Sequence, residues 1–85
     1  MKKILVVDDD KDLLLAMKLF FQRLGYIVAV TVSCDEGMDI FHSFQPDLVF
    51  LDINVGDQDG RQMCRKIKTQ AENQHIPVIL ISANE

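Results

Sequence analysis

Tryptophan is absent from this 85-residue chain, tyrosine occurs once, and there are only two cysteines, two prolines and four glycines. Each scarcity excludes something. Cys34 and Cys64 cannot form the dense disulfide framework that holds small secreted domains. Both fall where a helical pattern wants a small apolar residue, so buried thiols in a reducing compartment are expected. So little glycine and proline rules out collagen-like and low-complexity chains. No apolar run approaches the ~20 residues of a membrane span. The first such run, Ile4 to Val7, meets Asp8-Asp9-Asp10 at once, so no secretory signal is expected. Positive charge is also short, at nine Lys and Arg against 13 Asp and Glu, a net charge of −4. Lys2-Lys3 is the nearest thing to a basic cluster, which argues against direct nucleic-acid binding. A soluble, cytoplasmic protein is expected.

What is present reads as one globular domain over residues 1–85. Apolar residues make up 48% and charged ones 26%, too apolar for a disordered chain. At this size folding buries only roughly 60–65% of the unfolded surface, so the core has little margin. Ile4-Leu5-Val6-Val7 is aliphatic without alternation, the pattern of a strand covered on both faces. Pro46 to Leu51 and Ile76 to Ile81 repeat it, each with proline at the start, where a missing N–H does least harm. Tyr26 to Val32 is more mixed and reads as an edge strand.

Helical periods fill the gaps. Leu13, Leu14, Met17, Phe20, Phe21 and Leu24 recur three and four apart, with Gly25 at the stop. Ser33-Cys34-Asp35-Glu36 has the spacing of a capping box and opens a helix that buries Met38, Phe41 and Phe44 and stops before Pro46. A third helix, from about Gly60 to Thr69, places Met63, Cys64 and Ile67 on one face. Strands and helices therefore alternate from strand to strand, four strands and three helices in all. Short connections between aliphatic strands imply parallel pairing through right-handed crossovers. The expected class is α/β, a flavodoxin-like open parallel sheet with helices on both faces.

In such sheets ligands bind beyond the carboxyl ends of the strands, where strand order reverses. Asp8-Asp9-Asp10 follow the first strand, Asp52 ends the third and Ser82 follows the fourth. If the first and third strands are neighbours, Asp8, Asp9 and Asp52 converge. Like charges at that range destabilise one another unless a cation lies between them. Mg²⁺ suits a site of carboxylates, a carbonyl and water. A carboxylate beside such an ion is a competent nucleophile toward a phosphoryl group, and Ser82 can donate its hydroxyl to a phosphoryl oxygen. For any one aspartate the plainer reading is helix capping, expected here of Asp10 or Asp12. The joint placement favours a site.

At this point the sequence resembles the receiver domains of two-component response regulators. The matching stretches are Lys3 to Lys11, Pro46 to Asn54, Asp59-Gly60 and Ile76 to Ala83. The resemblance implies that Asp52 is the phosphoacceptor, charged by a sensor histidine kinase. It implies Asp9 as a direct Mg²⁺ ligand, Asp8 as an acid acting on the metal through water, and Asn54 as the donor of a backbone carbonyl. Ser82 matches the switch hydroxyl, Ala83 the small residue that leaves room for the phosphoryl group, and Gly60 the glycine before the third helix.

There are departures. Gly56 stands where the family usually carries proline, so the loop after Asp52 is expected to be looser. Val55 replaces a commonly bulkier residue. Family members continue beyond the fourth strand with a helix, a fifth strand ending in a phosphoryl-contacting lysine, and a final helix. No residue here takes that lysine's place, so an incomplete receiver with impaired activity is expected. Parts of its third and fourth strands would lack cover, and the fourth-strand edge could self-associate. The expected role is a signalling switch with no turnover of an external metabolite. One alternative is an interaction module of the same fold that is not phosphorylated. Another is a haloacid-dehalogenase-type phosphatase, which the Asn at position 54 opposes, since that class wants an Asp two residues after its nucleophile. His42 and His75 stand apart and read as surface residues. The cognate kinase and the output domain are not legible.

Overall fold

The computed structural model describes residues 2–82. In chain order it contains β1 (Lys3–Val7), α1 (Lys11–Arg23), β2 (Ile27–Thr31), α2 (Cys34–Phe44), β3 (Leu48–Asp52), β4 (Asn54–Val55), β5 (Gln58–Asp59), α3 (Gly60–Lys68), a 3-10 turn (Ala71–Asn73) and β6 (Val78–Ile81). β2, β1, β3 and β6 form one parallel sheet in that spatial order. This is the expected α/β architecture, an open flavodoxin-like sheet.

Alternating side chains of the strands feed two cores. Leu5 and Val7 of β1 with Val49 and Leu51 of β3 pack under α2 and α3, through Phe41, Met63 and Ile67. Ile4 and Val6 point the other way, toward Leu14, Met17 and Phe21 of α1. Helices thus cover both faces, and β1 is buried along almost its whole length because it lies inside the sheet.

The helix ends follow local chemistry. The Asp10 side chain caps α1 by accepting from the N–H groups of Asp12 and Leu13. At its other end the chain reverses through Gly25, with the Tyr26 N–H donating to the Phe21 carbonyl and the Gly25 N–H to that of Gln22. Ser33 caps α2 through the Glu36 N–H, but only half of the expected capping box forms. The Glu36 carboxylate instead accepts the Thr31 hydroxyl. Asp59 caps α3 through the Arg61 N–H and pairs with the Arg61 guanidinium.

One expectation needs correction. Phe20 and Leu24 do not share the buried face of α1: they are 59% and 60% exposed, as are Leu15 at 57% and Leu19 at 54%. α1 is apolar around more of its girth than the sheet can cover, and only the side carrying Leu14, Met17 and Phe21 reaches it. The segment after Asp52 holds a hairpin that the sequence pattern did not show. β4 and β5 pair antiparallel, Asn54 opposite Asp59 and Val55 opposite Gln58, around a two-residue turn at Gly56-Asp57. Val55 is buried beneath it.

Candidate functional site

Register brings the acids together. Val7 pairs with Leu51, so the next residues, Asp8 just past β1 and Asp52 at the end of β3, lie side by side. Ile81 pairs with Asp52, so Ser82 follows at the same rim. Asp8, Asp9 and Asp52 each offer a ligand oxygen, all within 4.8 Å of one another. Asp8 and Asp52 are buried, at 4% and 7% exposure, while Asp9 is exposed. These are the residues whose convergence the sequence pattern predicts.

Main-chain geometry fixes them. The Asp8 N–H donates to the Thr31 carbonyl at 3.1 Å, and its Oδ1 accepts from the Asp10 N–H at 2.9 Å. Asp52 Oδ1 accepts from the Asn54 N–H at 3.3 Å. Asp9 Oδ2 accepts from the Gly56 N–H at 3.0 Å. Beneath the site the Gly60 N–H donates to the Ile53 carbonyl at 2.7 Å, and a Cβ on Gly60 would collide with the Asp52 carbonyl. Only glycine lets α3 start this close to the end of β3.

Burial pushes the Asp8 carboxyl above its ordinary range; the Asp10 N–H pulls it back, and the charges of Asp52, Asp9 and Asp10 push it further up. Among the described residues no Lys or Arg forms an ion pair with these acids; the ion pair is Arg61 with Asp59, at 2.9 Å. Concentrated negative charge that no described Lys or Arg pairs with, presented as oxygens alone, fits a small hard dication such as Mg²⁺.

Residues 4–85 match the response regulator receiver domain family. The chain belongs to that family. Among solved structures it resembles the N-terminal domain of a response regulator receiver protein from Methanoculleus marisnigri JR1, with 32% identity and a TM-score of 0.89, covering 99% of this chain and 68% of that one. It resembles the signal receiver domain of a DNA binding response regulator from Colwellia psychrerythraea 34H, with 25% identity and a TM-score of 0.92, covering 100% of this chain and 71% of that one. The BeF3-activated receiver domain of Klebsiella pneumoniae RstA is 26% identical, with a TM-score of 0.87, covering 99% of this chain and 69% of that one.

Within this receiver fold the other predicted residues stand as follows. Asn54 is exposed in β4, next to Asp52 through its N–H. Ser82 is exposed after β6. Ala83 lies outside the described residues. His42 and His75 are surface residues, lining a groove of about 380 Å³ with Phe41, Asp47 and Glu72. Cys34 is buried as expected, and burial with the adjacent Asp35 charge pushes its thiol pKa up; Cys64 is half-buried. No helix among the described residues is long and apolar enough to cross a membrane.

Sequence reasoning missed Gln58 and Thr31. Gln58 Oε1 accepts from the Cys34 N–H at 2.8 Å, tying the hairpin to the start of α2. Thr31 is buried beside Asp8 at the end of β2. A hydroxyl ending an edge strand carried a signal for Thr31; nothing local marked Gln58.

Proposed function

We propose that this receiver is a Mg²⁺-dependent phosphoacceptor switch, with Asp52 taking a phosphoryl group from a sensor histidine kinase. The convergence of the Asp8, Asp9 and Asp52 oxygens within 4.8 Å carries this reading. A carboxylate oxygen of Asp52 attacks phosphorus, the phosphorus–nitrogen bond of the donor phosphohistidine breaks, and the electron pair leaves with the imidazole. Asp9 and Asp52 would hold Mg²⁺ directly, Asp8 through water, and the Asn54 carbonyl would complete the protein donors. Mg²⁺, when bound, offsets charge on the transferring oxygens. The Asn54 N–H holds Asp52 Oδ1, so the nucleophile is already oriented. Ser82 would donate its hydroxyl to a phosphoryl oxygen, and Ala83 would leave room for it.

The chain acts as a switch that is reset, not as an enzyme turning over an external substrate. It works in the cytoplasm and does not itself contact nucleic acid, in keeping with its net charge of −4. The outer edge of β6 has no strand partner among the described residues, and Ile79 and Leu80 are 45% and 40% exposed. That edge supports self-association by strand pairing.

Acetyl phosphate, a small phosphoryl donor, tests the chemistry. Incubation with Mg²⁺ should add one phosphoryl group to the intact mass, and omission of Mg²⁺ or Asp52→Asn should abolish the gain. Unchanged labelling of Asp52→Asn would refute the assignment.

A further inference from the structure

The hydrogen bond between Gly56 and Asp9 joins residues far apart in sequence. The Gly56 N–H, at the tip of the β4–β5 hairpin, donates to Asp9 Oδ2 at 3.0 Å. Both residues are exposed, so without this bond the Asp9 carboxylate would sample solvent rotamers freely. Among the described residues no cation pairs with Asp9 in its place.

We infer that Gly56 is a positioning residue, holding Asp9 over the acidic cluster through its main-chain N–H. The inference rests on the phosphoacceptor reading for what Asp9 does there, but the tether itself does not. Two properties of Gly56 are needed together: a free N–H, and a φ of 61°, which the turn between β4 and β5 imposes. A proline here would have neither, since its ring removes the N–H and fixes φ near −65°. The carboxylate of Asp9 is thus held by a contact that proline at position 56 could not make. The hairpin is anchored on its other side by Gln58 to the Cys34 N–H at 2.8 Å, so the tip that reaches Asp9 is itself held. Coupling between sites is reciprocal: if the hairpin orders Asp9 for the cation, cation binding must order the hairpin.

The space around a Cβ at Gly56 is open, with nothing within 4 Å, so a side chain that tolerates positive φ fits. Gly56→Asn keeps both the N–H and the turn; Gly56→Pro removes both. By calorimetric Mg²⁺ titration, Gly56→Asn should bind as the unaltered chain does, whereas Gly56→Pro should bind about tenfold more weakly, the usual scale for losing a group that orients a ligand. Equal affinity in all three would overturn the inference. A second arm needs no metal and no alteration of the turn. In amide NMR spectra Asp9→Ala should move the Gly56 proton upfield and speed its exchange with solvent. An unchanged Gly56 resonance and exchange rate would overturn the tether outright. If the unaltered chain binds no Mg²⁺ while the Gly56 amide responds to Asp9→Ala, the tether stands and the phosphoacceptor reading falls.

Discussion

Asp8 carries a charge that the fold disfavours. Its carboxyl is buried, and its pKa lies above the ordinary value of 3.8. The folded state therefore holds its proton more tightly than the unfolded chain. The resulting stabilisation is full below about 3.8 and is lost as the pH rises from there through the raised folded value. In a metal-free buffer the melting temperature should fall across that window, and Asp8→Asn should flatten the fall. Millimolar Mg²⁺ should raise the melting temperature of the unaltered chain at neutral pH, because a ligand bound only by the native state stabilises it. A pH profile identical in Asp8→Asn would remove Asp8 as its cause. Gly60 makes the steric counterpart. Gly60→Ala would push a methyl group into the Asp52 carbonyl and should destabilise the domain by about 3 kcal/mol in urea unfolding, the upper range for overpacking. A loss within error of zero would mean that the start of α3 can move away from β3.

At the scale of elements, β1, β3 and β6 were legible because buried parallel strands need uninterrupted apolar runs, and Ile4-Leu5-Val6-Val7, Leu48 to Leu51 and Val78 to Ile81 supply them. The β4–β5 hairpin was not legible. Asn-Val and Gln-Asp carry no alternation, and only the Gly56-Asp57 turn pair marks it. α1 was misread on its outer side because periodicity reports which residues are apolar, not how much sheet lies beneath them. Among the described residues nothing buries Leu15, Leu19, Phe20 and Leu24. β6 makes the sharper prediction. Its exposed Ile79, and a backbone edge with no strand partner among the described residues, favour strand addition, and a lysine at an edge opposes it. Ile79→Lys should lower the association constant seen by sedimentation equilibrium while leaving the circular dichroism spectrum unchanged. A monomeric unaltered chain at high concentration would rule out association through this edge.

For the molecule as a whole, the site was more legible than the contacts that support it. Asp8, Asp9 and Asp52 announce themselves because each follows an aliphatic run, and parallel register carries the ends of β1 and β3 to one rim. The Gly56 tether and the Gln58 anchor depend on a main-chain N–H and an amide side chain meeting partners 47 and 24 residues away, which no local pattern encodes. Membership of the receiver family makes the phosphoacceptor reading coherent: the sheet gathers negative charge at one end, and among the described residues no Lys or Arg pairs with it there. Mn²⁺ can substitute for Mg²⁺ at oxygen-rich sites and broadens the amide resonances of nearby residues. Substoichiometric Mn²⁺ added to ¹⁵N-labelled protein should erase the signals of Asp8 to Asp10, Asp52 to Asn54 and Gly56, and excess Mg²⁺ should restore them. Broadening centred on the His42–His75 groove, or none at all, would contradict the account.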